Sequence, residues 1–270
     1  MVGRRLIFHF YAMNEFEDNP AYKMHFACLK KYSHIFDSAK FIISVDDVND
    51  RELISKVASK IVACGFVENT EFVVKENGIY REAETFKREI ADNLDNLSGL
   101  TFFAHTKGVS NVVSRPETTH SILRWIYGCY YLSLTFLDDV HAQMQMYQHF
   151  CQRFFYGPFL RRVLQEENGA TKYGAEYEGA FFWVNCFALS DYLKETGKKV
   201  PRDFGRFYAE RFPGEMFPIG ERIGSYQYRY YEGEGLYENA DAIIEIIFID
   251  EKDLNDFNNG YSKLIAENGI

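Results

Sequence analysis

Several common classes of protein are marked by features that this sequence lacks. The longest apolar stretch, residues 125–137, is too short for the roughly 18 apolar residues that a membrane-spanning helix needs. Residues 1–16 hold only a short apolar run, broken by His9 and Asn14, so they predict no signal peptide. Neither GxSxG nor a P-loop motif occurs. These absences argue against a transmembrane or exported protein and against the hydrolases that those motifs mark.

Basic charge and paired cysteines are scarce as well. The chain has 30 Lys and Arg against 39 Asp and Glu, for a net charge of −9. A general nucleic-acid binder needs a basic face, so we exclude that class, although a local basic pocket stays open. The five cysteines are odd in number, widely scattered and free of any CxxC. They predict reduced, mostly buried thiols in a cytoplasmic protein.

The first 110 residues alternate between strand-like and helix-like segments. With 47% apolar and 26% charged residues over 270 positions, the chain can bury a substantial core. Such alternation predicts an α/β fold, a mostly parallel Rossmann-type sheet with helices on both faces, and ligands bind such sheets beyond the carboxyl ends of the strands. We predict strands at residues 4–12, 39–47, 70–77 and 99–108, with helices at 21–36, 51–66 and 80–94.

The texture changes after Pro116, and the second half is richer in aromatic residues. We predict helices at 118–137, 139–164, 190–198, 201–212 and 251–267, strands at 176–189 and 241–250, and a loop or hairpin at 220–236. No linker is readable, so we predict one domain over residues 1–270, divided near residue 115 into a ligand-binding half, 1–115, and a second half, 116–270.

The quartet His-Thr-Lys-Gly ends the fourth predicted strand, at residues 105–108. A lysine ammonium suits phosphate, a histidine can donate a hydrogen bond or act as a base, and Gly108 allows close approach to the backbone. The ordinary alternative is a satisfied histidine beside a solvated lysine. Polar residues also follow the first two strands, so three strand ends converge: Asn14, Glu15, Asp46, Asp47, His105 and Lys107.

Four segments in this order resemble glycosyltransferases of bacterial capsule and O-antigen polysaccharide loci, including proteins of the rhamnan-synthesis type. They are the HTKG strand end, a helix with Trp125, YEGAFFWVN at residues 177–185, and RFYAERFPGEMFP at residues 206–218. Those proteins often carry HTKG, a GNFWW segment and a later glutamate-containing segment. The resemblance covers roughly residues 5–220. It departs from the pattern at Ala180, where the family has asparagine.

The resemblance implies a GT-A-like fold that binds a nucleotide-diphosphate sugar in its first half and the acceptor in its second half. In that fold the fourth strand usually ends in Asp-x-Asp, which holds a divalent metal. Here His105, Thr106 and Lys107 take that place. We therefore expect Lys107 to supply the positive charge and His105 to contact a ribose or a phosphate oxygen, with no metal required. The alternative is a manganese or magnesium ion held by His105 together with Asp46 or Asp47.

Candidate catalytic groups come from the same resemblance. Glu178 is the first choice for the base that deprotonates the acceptor hydroxyl, and Glu210 is a second catalytic candidate or a residue that holds the acceptor. Trp183 could stack on a sugar ring, and Arg206 could clamp a phosphate through its guanidinium fork. The ordinary alternatives are two surface carboxylates and a core tryptophan.

The remaining candidates lie at the ends of the first two strands. Resemblance places Asp46 and Asp47 near the nucleobase or ribose, where a carboxylate accepts hydrogen bonds; the alternative is that they cap the next helix. Phe10 and Tyr11 could border the base.

Three readings of function follow. The first is a glycosyltransferase with a nucleotide-sugar donor and a glycan or lipid-linked glycan acceptor, cytoplasmic, with peripheral contact at the inner membrane face left open. The second is a non-catalytic sugar- or nucleotide-binding protein, a degenerate transferase within a polysaccharide assembly system. The third is an enzyme of different phosphate chemistry on the same sheet.

Overall fold

The computed structural model describes residues 3–145, 152–167, 170–201, 205–218, 221–229, 231–232, 236–248 and 250–270. The strands within these ranges are β1 Arg4–Tyr11, β2 Ser38–Val45, β3 Thr70–Glu76, β4 Leu100–His105, β5 Phe155–Gly157, β6 Leu160–Glu167, β7 Ala170–Tyr177, β8 Phe182–Asn185, β9 Ile223–Ser225 and β10 Tyr231–Glu232. The helices are α1 Pro20–Tyr32, α2 Arg51–Ala63, α3 Glu82–Phe86, α4 Val109–Ser114, α5 Thr119–Leu134, α6 Leu137–Gln145, α7 Cys186–Thr196, α8 Tyr208–Met216, α9 Leu236–Ile247 and α10 Glu251–Asn268.

A 7-stranded sheet runs through the molecule in the order β3-β2-β1-β4-β8-β5-β9. The strands β1 to β4 pair in parallel, and β8 is antiparallel to both β4 and β5. The predicted α/β fold, a mostly parallel Rossmann-type sheet flanked by helices, is confirmed. The second half of the chain contributes β8, β5 and β9 to this sheet and also forms a 3-stranded sheet, β10-β6-β7.

Both faces of the central strands are buried, as parallel strands require. On β1, Leu6, Phe8 and Phe10 face one apolar core, while Ile7 belongs to the other. The first core is covered mainly by α1, α2, α5, α9 and α10, and the second by α3, α7 and α8. The sheet therefore leaves its carboxyl edge, and not its faces, as the place where a ligand can reach the strands.

The strand order reverses direction between β1 and β4. From β1 the chain moves outward to β2 and β3, then crosses back to place β4 on the other side of β1. The helices that follow neighbouring strands consequently diverge at this point, which opens a crevice at the carboxyl ends of the two strands. The topology thus selects the ends of β1 and β4 as the first place to look for a site.

Two predictions for the second half are wrong. Residues 139–164 are not one long helix, because Pro158 cannot continue a helix and the segment before it pairs with β8 as the short strand β5. The predicted strand at 241–250 is the end of helix α9, in which Ala240, Ile243 and Ile244 are buried at helical spacing and Ile246 is exposed.

Other boundaries moved by smaller amounts. The predicted helix at 80–94 is the short α3, which continues as a π-helical turn over Lys87–Ala91. The predicted helix at 201–212 starts later, as α8, and the predicted loop or hairpin at 220–236 contains β9 and β10.

The described residues also bear on the predictions about cysteines and about membrane-spanning helices. Their four cysteines are buried and free, while Cys151 lies outside the described residues. No helix in this part of the chain is both long enough and apolar enough to cross a membrane.

Candidate functional site

A cleft of about 290 Å³ lies at the carboxyl ends of β1 and β4. It therefore occupies the crevice that the strand order creates. Besides the two strand ends, the residues after β3, the start of α4 and the residues before α8 contribute to it. Its lining consists of His9, Tyr11, Arg81, Glu82, His105, Thr106, Lys107, Gly108, Val109, Ser110, Asn111, Arg206 and Phe207.

Lys107 enters this cleft already paired with a carboxylate. Its Nζ donates to Oε1 of Glu210 over 3.0 Å, and the same oxygen accepts the backbone N–H of Gly179 over 3.0 Å. Glu210, in the first turn of α8, is buried. The ammonium predicted to act as a free countercharge is thus balanced by a second candidate residue, and the two must be considered together.

His105 is held on the other side of Gly179. Its Nε2 lies 2.6 Å from the carbonyl oxygen of Gly179, and since a carbonyl only accepts, Nε2 carries the proton. Burial lowers the pKa of His105 to about 3, with further lowering by the Lys107 charge. The imidazole is therefore neutral at physiological pH and adds no positive charge for a phosphate.

Gly179 joins three of the segments that carried the family resemblance. Its N–H is bound by Glu210 and its carbonyl by His105, so we call His105, Lys107, Gly179 and Glu210 the Gly179 clamp. A side chain is excluded here: the φ angle is +93°, and a Cβ would lie 2.4 Å from Cζ2 of Trp125. His105 and Gly179 are 74 residues apart in sequence, and Lys107 and Glu210 are 103 residues apart. Distant segments of the chain thus meet in one hydrogen-bonded unit.

Thr106 and Gly108 shape the floor of the cleft. Oγ1 of Thr106 accepts the backbone N–H of Tyr11 over 2.9 Å and so ties the ends of β1 and β4 together. Gly108 has a φ of +85°, and a Cβ would lie 2.6 Å from Cγ2 of Ile122. Both residues, which were predicted to bind substrate, line the cleft.

Tyr11 connects the cleft to Asp46. Its hydroxyl donates to Oδ2 of Asp46 over 3.2 Å, and burial followed by that carboxylate raises the pKa of Tyr11. Asp46 is exposed and does not itself line the cleft. Asp46 therefore contacts the cleft only through Tyr11, which is one of the cleft residues.

Asp47 forms a hydrogen bond with the backbone of the next turn and does not line the cleft. Its Oδ1 accepts the N–H of Asn49 over 2.8 Å in the turn before α2, and the cap of that helix is Asp50, which accepts from Leu53. Among the described residues there is no group of three His, Cys, Asp or Glu side chains arranged to hold a metal ion.

Two predicted binding residues belong to the core, which corrects their assignment. Phe10 is fully buried and stacks on Tyr22 with ring centroids 5.4 Å apart. Trp183 is also fully buried, donates from Nε1 to the carbonyl of Ser133 over 2.9 Å and packs on Phe102. Both side chains belong to the first of the two cores, so neither can stack on a sugar or a base.

The last two candidates lie in different surroundings. Arg206 is exposed, lines the cleft and packs its guanidinium 5.8 Å from the ring centroid of Phe207. Glu178 is half-buried, accepts a hydrogen bond from the hydroxyl of Tyr231 and is not among the cleft residues. The structure thus brings Arg206, but not Glu178, to the tip of β4.

His9, Arg81 and Glu82 line the cleft but were not among the residues predicted from the sequence. His9 pairs with His105 in the parallel register of β1 and β4, so the two imidazoles are neighbours across the strands. Arg81 and Glu82 follow β3, and in the sequence the polar residues at this strand end resemble an ordinary helix start. Applying the rule of converging strand ends to β3, and comparing the positions of the two histidines within their strands, would have found all three.

Comparisons with known proteins add little to this geometry. No known protein family's sequence model matches the chain, and no curated protein matches it either. One similar solved structure is a 4-diphosphocytidyl-2C-methyl-D-erythritol synthase, with 11% identity, coverage of 92% of this chain and 99% of that chain, and a TM-score of 0.41. A likeness this weak supports no argument about function.

Proposed function

We propose that this protein is a glycosyltransferase that moves a sugar from a nucleotide-diphosphate sugar to a glycan or lipid-linked glycan acceptor. The observation that carries the proposal is the Gly179 clamp, in which the HTKG, YEGAFF and RFYAERF segments meet at a cleft on the strand-reversal edge. Acting on a lipid-linked acceptor would bring the protein to the inner face of the membrane as a peripheral partner.

The charges around the cleft suit a diphosphate. Arg81, Lys107 and Arg206 all contribute to its lining. Guanidinium forks bind phosphate oxygens in pairs, and an ammonium adds a compact charge. We propose that these three cations stabilise the leaving diphosphate and that no divalent metal is required for transfer.

Glu210 is better placed than Glu178 to act as the base, because it touches a residue of the cleft. When a donor phosphate draws Lys107 towards itself, the carboxylate of Glu210 loses its charged partner, keeps the hydrogen bond from Gly179 and can accept the proton of an acceptor hydroxyl. The acceptor oxygen then bonds to the sugar carbon as the bond to the diphosphate oxygen breaks, and the diphosphate leaves with that electron pair.

The test begins with binding. In a thermal-shift screen of UDP-, GDP-, CMP- and dTDP-sugars, one of the three diphosphate donors should raise the melting temperature, whereas the CMP-sugar, which carries a single phosphate, should not. Arg206→Ala should weaken that binding about tenfold, because it removes a charged contact from the cleft wall, whereas Arg51→Ala, an exposed arginine at the start of α2, should leave it unchanged.

Transfer is then measured as nucleotide release in the presence of a glycan acceptor. Glu210→Gln should bind donor and slow release, and EDTA should leave the rate unchanged. A rate that collapses in EDTA and returns with manganese would refute the metal-free mechanism. A complete absence of nucleotide-sugar binding would refute the proposed function itself.

A second candidate, a non-catalytic sugar- or nucleotide-binding protein, is favoured by one observation. Both candidate carboxylates are engaged: Glu210 with Lys107 and Gly179, and Glu178 with Tyr231. If those contacts persist when donor is bound, no base is available. The same two measurements separate the candidates, since this one predicts binding without nucleotide release for any acceptor.

A further inference from the structure

His9 carries a buried polar atom that has no hydrogen-bond partner among the described residues. The side chain is 1% exposed, and its Nδ1 lies 2.8 Å from Oγ1 of Thr85 on α3. Its Nε2 is buried and unpartnered, although the residue lines the cleft. Buried polar atoms are nearly always paired in folded proteins, so an exception at a cleft wall points to a partner that a ligand supplies.

We propose that Nε2 of His9 and the carboxylate of Glu82 bind hydroxyl groups of a sugar ring, which makes this side of the cleft the sugar subsite. We call His9 and Glu82 the β1–α3 wall, while Arg81 stays with Lys107 and Arg206 on the phosphate side. The inference rests on the proposed function and deepens it, because it divides the cleft into a phosphate side near Lys107 and Arg206 and a sugar side at the wall.

The chemistry of the wall favours a hydroxyl over a phosphate. Burial lowers the pKa of His9 to about 3; Lys75, His105 and Arg81 lower it further, while Glu82 opposes them. The imidazole is therefore neutral and offers no charge to an anion, and the Glu82 carboxylate beside it repels one. A hydroxyl, in contrast, can donate to Glu82 and exchange a hydrogen bond with the imidazole, whichever tautomer is present.

Two substitutions test the subsite directly. His9→Phe keeps a ring of similar size and removes both nitrogens, so it should weaken binding of the nucleotide sugar identified by screening about tenfold. Thr85→Val removes the group that orients the ring and should weaken binding by less. Ser133→Ala is the matched control, because Ser133 is also buried with an unpartnered hydroxyl but does not line the cleft; it should leave binding unchanged.

Hydroxyls of the ribose are the other source of the same chemistry, and a second ligand distinguishes them. The matching nucleoside diphosphate, which lacks the sugar, should bind His9→Phe and the unaltered protein equally. If His9→Phe weakens both ligands to the same degree, the hydroxyls are those of the ribose and the sugar subsite is refuted. If it weakens neither, the inference fails while the proposed function stands.

A measurement on the unaltered protein keeps the inference independent of any variant that fails to fold and of the nucleotide screen. Long-range proton–nitrogen NMR should show the Nε2 resonance of His9 shifting on addition of glucose, galactose, mannose or N-acetylglucosamine, with little change at His25, whose nitrogens are both bonded. A shift in a protein that binds no nucleotide sugar would support the sugar site and refute the transferase. No shift with any of the four sugars would refute the subsite.

Discussion

The two sides of the cleft differ in how completely their polar atoms are paired. In the Gly179 clamp, Lys107, Glu210, the Nε2 of His105 and both backbone groups of Gly179 are bonded to one another. On the β1–α3 wall, a neighbouring imidazole in the same register, that of His9, has an unpartnered Nε2. One side is thus already satisfied by the fold, while the other has capacity left for a ligand.

This difference teaches that a sequence motif and a binding group need not be the same residues. The HTKG quartet is the recognisable motif, yet the hydrogen bonds of His105 and Lys107 hold the YEGAFF turn and α8 in place. The unpaired capacity lies on residues that belong to no motif. Changes to the clamp should therefore lower stability in addition to any effect on the proposed phosphate contact of Lys107 and proton transfer by Glu210, whereas changes to the wall should mainly weaken binding.

The largest expected effect is a loss of stability at low pH, to which a buried histidine on each side of the cleft contributes. Burial lowers the pKa values of His9 and His105 to about 3 and that of His25 to about 4. The unfolded chain protonates these groups near pH 6.5, so stability is complete above that pH and falls as pH drops towards 3. Three such groups predict a loss of about 5 kcal/mol in unfolding free energy between about pH 7 and pH 5.

Urea unfolding at several pH values measures this loss, and His9→Phe should reduce it by about a third, since one titrating group is gone. A stability that does not change over this range would show that the imidazoles are not held neutral.

Gly179→Ala should have the next largest effect, because it attacks the centre of the clamp. The substitution forces a Cβ against Trp125 at a positive φ, which should lower the unfolding free energy by about 3 kcal/mol. Gly197→Ala is the control: its φ is +67°, but a Cβ there meets nothing within 4 Å, so only the strain of about 1 kcal/mol applies. If urea unfolding shows equal losses of unfolding free energy for the two variants, the clash with Trp125 at the centre of the clamp does not contribute.

Glu210→Ala should have the smallest effect of the three. It removes the carboxylate that both the Lys107 ammonium and the Gly179 N–H contact, at a cost of about 2 kcal/mol, reduced from that of a fully buried pair because Lys107 is 20% exposed. Adding Lys107→Met should recover part of the loss. Glu52→Ala, which breaks the exposed pair with Lys56, should change urea unfolding by less than about 0.5 kcal/mol. A Glu210→Ala effect no larger than this control would place Glu210 among ordinary surface carboxylates.

Local pattern was sufficient to predict the first half of the fold. Strands and helices up to β4 appear close to the predicted bounds, because buried apolar runs alternate there with amphipathic segments that have clear caps, such as Asn19 and Asp50. In the second half, the apolar run at 241–250 suggested a strand because its isoleucines are good strand formers. The spacing of the residues that α9 buries, which includes Ala240, was the better guide.

The candidate site was predicted in part for a similar reason. Residues 105–108 end a strand in a βαβ series, and sheet topology alone places such an end at an edge where ligands bind. Core placement of Trp183 and Phe10 was not predictable from aromatic character, because a ring that packs inward and a ring that stacks on a ligand look the same in sequence. Which side of a strand faces a cleft depends on the elements packed against it.

By itself, the sequence determined the alternation of strands and helices, and hence a parallel sheet with a ligand-binding edge, because those follow from the spacing of apolar residues along the chain. Only the tertiary structure decided which polar groups at that edge are already paired. Pairing depends on contacts between segments far apart in sequence: Lys107 meets Glu210 and His105 meets Gly179, while the Nε2 of His9 meets no partner among the described residues. Hydrogen bonds depend on distance and direction in space, which no local pattern contains.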